Sequence, residues 1–342
     1  PQLLTPGYFI LSSLKINFVF LARFVIIQGA MVPVSIIITT RNRKEALIRC
    51  TRSIIRSSYS SFELIIVDDA STDGTQSLSP KDFLWPHTSI IHVPTQIMMT
   101  RARNLGARSA KGNYLLFIDD DNEVPAEMVG QLVEAAESHP EYGILGPVMY
   151  YLTSRTLKMC GQRINLYTGR TRELTELPPT GIIDSDGVPN AFLIRRETFS
   201  AVGGFDEAIF QTFTEPDFAY QALKHGYRCG IVATAAIYHD IPVDGQLTPR
   251  SLGSTYIQKA YCLMRNRTVI VARYGTRLQK IVYAIFFSWF WPSVYSALML
   301  RWGITRVLPF YWSGFVDGWR YLLGGHLVPG LPPHLQKRLN QN

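Results

Sequence analysis

The chain has 342 residues, 47% of them hydrophobic and only 18% charged, with a formal net charge of +8. It can therefore bury a sizeable core and still carry an appendage, and part of its surface is expected to face something other than water. The basic excess favours nucleotide phosphates, anionic headgroups or nucleic acid without choosing among them, and four scattered cysteines without a CxxC pair leave neither a disulfide framework nor a zinc site, only reduced thiols in a cytosolic compartment.

Residues 1–30 are apolar, but Lys15, Asn17 and Arg23 interrupt them and no cleavage pattern follows. They read as an accessory segment or an over-extended reading frame, with Met31 opening the main domain, 31–245. Val34–Ile38, Leu64–Val67 and Tyr114–Ile118 are uniformly apolar, as central strands of a parallel sheet covered on both faces must be. Between the first two, Leu47, Cys50, Thr51 and Ile54 fall on one face of a helix. A second helix runs from about Ala126 to Ser138 and stops at His139-Pro140. This alternation predicts a doubly wound, mostly parallel α/β domain whose ligands bind beyond the C-terminal strand ends.

Residues 151–189 are rich in Thr, Arg, Gly and Pro without a clean period, and read as an extended insertion. Regular structure resumes at Ala191–Arg195 and continues to about His239. Residues 246–275 read as a linking helix and 276–342 as a hydrophobic helical tail. Within that tail Ile281–Leu300 carries no charge between Lys280 and Arg301, long enough to cross a hydrocarbon core. Pro292 sits mid-run, and Tyr283, Trp289, Trp291 and Tyr295 are residues that prefer an interface. A second apolar stretch, 307–323, contains Asp317 and Arg320. Membrane contact is expected, as a span, a re-entrant hairpin or helices in the headgroup plane.

Two acidic clusters carry the chemistry. Phe117-Ile-Asp119-Asp120-Asp121 ends an apolar strand in three carboxylates, whose mutual repulsion calls for a compensating cation. Mn²⁺ or Mg²⁺ fits, since hard ions take carboxylate and phosphate oxygens together. Alternation sends Asp119 and Asp121 to one side, toward the cation and its nucleotide, and Asp120 to a structural bond. Glu63-Leu-Ile-Ile-Val-Asp68-Asp69 ends likewise before the turn STDGT. A carboxylate there either accepts from the N3–H of uracil or thymine or caps its own loop. Arg101, Arg103 and Asn104 begin a helix whose start would face phosphates at the sheet edge, or else lie on an ordinary basic surface. Thr214 reads as an N-cap that places Glu215 and Asp217 in a first helical turn, where acids also simply complement the dipole.

In this order, VSIIITTRNR, ELIIVDDASTDGT, ARNLGARSAKGNYLLFIDDD and GGFDEAIF…TEPDFAYQALKHGY resemble the family-two group of GT-A glycosyltransferases, over roughly residues 32–240. The resemblance implies a Rossmann-like GT-A domain and inverting transfer from a nucleoside diphosphate sugar. It implies that Asp69, with Asp68 beside it, binds the base, and that Thr39, Arg41 and Asn42 form the nucleotide loop. Arg103, Asn104 and Asp120 join the nucleotide-binding set, and Asp119 and Asp121 become the DxD metal pair with His239 near the ion. Glu215 or Asp217 becomes the catalytic base, Glu215 preferred, because TEPD departs from the family's usual pattern. The tail looks like the membrane-facing extension of rhamnosyltransferase-like members. The expected partners are a UDP- or dTDP-sugar, a glycan or lipid-linked acceptor and membrane lipids at the cytoplasmic face. No aromatic and basic platform for nucleic acid is recognisable. A nucleotidyltransferase and an idle glycan-binding protein are the rival readings; the first would show a glycine-rich loop that ITTRNRKEA lacks.

Overall fold

A computed structural model describes residues 33–243 and 247–339; the accessory segment read at 1–30 lies outside the described residues. The apolar runs become neighbouring strands. β1 (Val34–Thr40), β2 (Phe62–Asp68), β3 (Thr88–His92) and β4 (Tyr114–Asp119) are parallel, in the order β3-β2-β1-β4. They are almost wholly apolar because helices cover both faces. On one face lie α1 (Lys44–Ile55), whose buried residues are Leu47, Cys50, Thr51 and Ile54, and α3 (Met128–Ser138); on the other lies α2 (Met99–Ser109).

Beyond β4 the sheet becomes mixed. A two-residue β5 (Asn122–Glu123) precedes α3, and β6 (Tyr142–Tyr151) follows it. The stretch read as an extended insertion contains four short strands, β7 (Leu157–Met159), β8 (Gln162–Asn165), β9 (Arg170–Glu173) and β10 (Ile182–Asp184). β8 and β9 form a separate hairpin, while β7 and β10 extend the main sheet. Runs of three or four residues are too short to show a period, so pairing alone reveals them. β11 (Ala191–Arg195) runs antiparallel between β4 and β6, followed by α4 (Arg196–Val202), α5 (Thr214–Lys224) and β12 (Arg228–His239). The full order is β10-β12-β6-β11-β4-β1-β2-β3, the doubly wound sheet expected.

The C-terminal quarter, read as a linking helix and a tail, packs as one helical body. α6 (Ile257–Tyr274), α7 (Arg277–Arg301), α8 (Leu308–Leu322) and α9 (Pro333–Leu339) share a core built on Tyr261, Met264, Tyr295, Met299, Phe310 and Tyr311. α6 is the centre of this body: eleven of its residues are buried, from Ala260 round to Val271. α8 lies against it through two glycines. A Cβ at Gly318 would stand 2.8 Å from Thr268 Cβ, and one at Gly314 would overlap the Tyr261 carbonyl oxygen. Gly314→Val is therefore expected to cost about 1–3 kcal/mol through forced separation of the helices; an unchanged thermal midpoint would contradict the close crossing.

Candidate active site

The parallel register sets Thr40 beside Asp68 and Thr39 beside Asp119, so the tips of β1, β2 and β4 converge. β12 brings His239 opposite Asn122 of β5, next to the aspartate turn. Among the described residues five non-glycines have left-handed φ, and four of them, Asn42, Ala70, Met98 and Phe213, stand in loops at this edge. Such conformations cost on the order of 1–3 kcal/mol each and persist where surrounding contacts over-determine them.

The three aspartates divide between two arginines, Arg43 and Arg103. Asp120 is the inward one, accepting from Thr40 Oγ1 at 2.6 Å and from Arg43 Nη1 at 3.0 Å. Burial raises its pKa to about 6, Arg43 and Thr40 offsetting only part of that. Asp121 accepts from the same Arg43 nitrogen at 2.7 Å, and its Oδ1 lies 3.2 Å from His239 Nε2. Burial disfavours its charge, but His239 and Arg43 outweigh that and hold its pKa at about 2. Asp119 meets another cation. Arg103 donates from Nη2 to Asp119 at 2.8 Å and from Nη1 to Glu215 at 2.6 Å. This guanidinium is buried, with Phe192 and Phe205 rings 5.3 and 5.9 Å away. One rigid fork thus sets Glu215 relative to the first aspartate.

Among the described residues no three His, Cys, Asp or Glu side chains form a closed metal cage. The pair at Asp121 nonetheless suits a hard ion. Its Oδ1 is buried without a hydrogen bond, and the 3.2 Å to His239 Nε2 is close to the separation of about 3 Å between adjacent ligands of a six-coordinate ion at roughly 2.1 Å. Sites of this kind use one or two carboxylates and fill the rest with water and phosphate.

At the β2 tip, Asp69 accepts the backbone N–H of Ile97 at 2.6 Å and of Met98 at 3.0 Å, one on each oxygen. Burial raises its pKa, and those two amides together with Arg41 oppose the rise. Each oxygen keeps a second lone pair for a ligand. Asn42 joins the β1 and β2 loops, donating its N–H to Ser71 Oγ and accepting from Thr72 N–H at 2.7 Å. Asp68 and Asn104 are engaged elsewhere. Asp68 is buried on His92 Nδ1 at 2.9 Å and the Ser71 N–H at 3.1 Å. Asn104 pairs both ways with the Phe205 backbone at 2.9 Å.

Residues 35–203 match the profile described as Glycosyl transferase family 2. Those 169 of the 342 residues are similar to a glycosyl transferase family 2 domain. The chain is 28% identical over 191 residues to an uncharacterized glycosyltransferase of Haemophilus influenzae, covering 56% of this chain and 62% of that relative. It thus spans less than two thirds of that relative. The fold is similar to S. aureus TarS 1–349 in complex with UDP-GlcNAc, with a TM-score of 0.58 and 16% identity over 85% of this chain and 81% of that one. It is also similar to the mannosyltransferase PcManGT from Pyrobaculum calidifontis in complex with GDP-Man and Mn²⁺, with a TM-score of 0.53 and 14% identity over 92% and 96% of the two chains. These likenesses place the sheet and its helices in the GT-A fold.

The first turn of α5 separates its two acids. Thr214 is the first helical residue rather than the N-cap. Left-handed Phe213 precedes it, and the Thr214 hydroxyl is buried without a partner. Glu215 turns to Arg103. Asp217 turns away to α6, accepting from Arg273 Nη1 at 2.9 Å and Tyr274 OH at 2.6 Å. Asp217→Ala, which leaves Arg273 held by Asp206 and Tyr321 alone, is expected to destabilise the fold by about 1.5–3 kcal/mol, measured by urea unfolding, with the folded fraction still turning over. A stable but inactive variant would instead give Asp217 a chemical role. Sequence reading missed Arg43, Thr40 and His92, which hold the aspartates. The one signal for Arg43 was a cation three residues beyond a strand end that points at the acids.

Proposed function

We propose that the chain is an inverting glycosyltransferase that moves a sugar from a nucleoside diphosphate sugar to a hydroxyl of a lipid-linked or surface-glycan acceptor. The observation that carries this reading is the Arg103 fork, which ties Glu215 to Asp119 across the mouth of the strand tips. Asp69 accepts from the base, with Thr39, Arg41 and Asn42 beside the nucleotide. A Mn²⁺ or Mg²⁺ held by Asp121, Asp119 and His239 would neutralise charge on the leaving diphosphate, worth several kcal/mol of the barrier. Glu215 takes the proton of the acceptor hydroxyl while that oxygen attacks the anomeric carbon from the face opposite the diphosphate. The new C–O bond forms as the old one breaks, its electron pair leaves on the diphosphate, and configuration inverts. Asp120 and Arg43 brace the aspartate turn, and Asp68, Asn104 and Asp217 position the loops around it.

The tail, 276–342, is proposed to keep the enzyme at the cytoplasmic face of the membrane, in the manner of rhamnosyltransferase-like members. One of its helices, α7, is long and apolar enough to cross a bilayer by length and composition.

A thermal-shift and donor-hydrolysis screen with UDP-, dTDP- and GDP-sugars tests the reading, GDP-mannose being included because the Pyrobaculum mannosyltransferase binds it. One nucleoside diphosphate sugar should raise the midpoint with Mn²⁺ and be hydrolysed slowly, and EDTA should remove turnover until Mn²⁺ or Mg²⁺ is restored. Undiminished turnover in EDTA refutes the metal assignment. Release of pyrophosphate instead of a nucleoside diphosphate would favour a nucleotidyltransferase.

A further inference from the structure

We infer that α7 and α8 form a single lipid-seating face that lies in the plane of an anionic bilayer surface, and that α7 does not span it. This rests on the membrane reading above but not on the sugar chemistry.

Among the described residues eighteen large apolar side chains are exposed, and eleven of them fall between Leu278 and Leu323. On α7 they form a stripe with helical spacing, Ile281, Ile285 and Trp289, widened by Phe286 and Phe290; Phe286 is 64% exposed. On α8 the exposed Trp312 and Val316 continue the face, and the two helices join beneath it where Trp289 packs on Phe315 with ring centroids 4.6 Å apart and on Trp319 at 6.4 Å. The two stripes are one surface.

The opposite side of α7 is polar-bonded to the protein along its length. Tyr283 OH meets Thr268 Oγ1 at 2.9 Å, Trp291 Nε1 donates to the Thr168 carbonyl at 2.6 Å, and Arg267 Nη2 donates to Tyr295 OH at 3.1 Å. Thr168 lies in the turn of the β8–β9 hairpin, whose strands carry Arg163, Arg170 and Arg172. A spanning α7 would drag that hairpin and Arg267 to bilayer depth. There each cation costs about 2.5–3.5 kcal/mol or more, and irregular backbone finds no water. A helix lying flat immerses its apolar face by about 5–10 Å and leaves the hairpin in water.

Charge selects the occupant. Residues 276–339 contain seven Lys or Arg and a single acid, Asp317, so they hold six of the chain's eight net positive charges. Asp317 itself is bonded by Tyr261 and Arg320. Arg277 and Lys280 precede the stripe and Arg301 closes it. Each cation near an anionic leaflet contributes roughly 1 kcal/mol of attraction, whereas a second copy would present the same positive charge.

The test uses the full chain with sealed vesicles of phosphatidylcholine, with and without phosphatidylglycerol. Binding should require phosphatidylglycerol and weaken with salt. The double variant Ile285→Glu, Phe286→Glu should lose binding at least about tenfold with an unchanged melting temperature, because both side chains already face outward. Single cysteines at Arg277→Cys and Thr305→Cys mark the two ends of α7 for an impermeant maleimide, a clean readout because the four native cysteines are buried. Labelling of both ends from outside the vesicle supports the in-plane seat. Protection of one end, undiminished binding by the Glu variant, or lipid-free dimers without vesicle binding overturns it. Loss of the donor-hydrolysis reading would leave vesicle binding intact, so the two proposals fail separately.

Discussion

Asp121→Ala is expected to lower turnover by about 10³-fold or more and to remove any response to added Mn²⁺. The side chain has two tasks. Its Oδ2 anchors Arg43, and its Oδ1, 3.2 Å from His239 Nε2, is the atom proposed to meet the ion. Alanine removes both, so the control is Asp121→Asn, which keeps the shape and a carbonyl oxygen but not the charge. If the carboxylate serves an ion, the asparagine variant stays folded and still loses Mn²⁺-dependent stabilisation in a thermal-shift assay. That readout needs no turnover. Wild-type rates in the alanine variant, or an intact Mn²⁺ shift in either, would remove Asp121 from the metal pair.

Glu215→Gln should reduce kcat by about 10²- to 10⁴-fold while leaving donor affinity near wild type. Glutamine is nearly isosteric and retains an oxygen to accept from Arg103 Nη1, so the 2.6 Å contact and the Arg103 fork survive. What disappears is the ability to take a proton from the acceptor. The effect should therefore fall on kcat and not on donor binding, a split that a merely structural role would not produce. A glutamine variant with wild-type kcat sinks Glu215 as the base. The Asp217 variant is the counterpart: it should report on stability, because its carboxylate lies between Arg273 and Tyr274 at the α5–α6 contact.

Much of this arrangement is legible in the linear chain. Ile36, Ile37 and Ile38, like Leu64–Val67 and Leu115–Ile118, are buried regardless of which way they point, and a strand apolar on both faces has only one place to go, the middle of a covered sheet. Carboxylates directly after such strands must then collect at one edge. The stripe of α1 is equally plain, since Leu47, Cys50, Thr51 and Ile54 sit three or four residues apart.

The remainder was hidden because it depends on partners far away along the chain. Nothing local to TEPD tells that residue 215 meets an arginine 112 positions earlier while residue 217 meets one 56 positions later. Nor does the apolar run 281–300 record that Trp291 reaches back 123 residues to Thr168, which lays the helix along the protein. Periodicity and strand-end chemistry are properties of neighbours, so composition and order alone specify the elements and the acidic edge. The choice among the carboxylates, the centring of α6 and the orientation of α7 come from packing between distant elements, where geometry in three dimensions, not spacing in one, sets which charges meet.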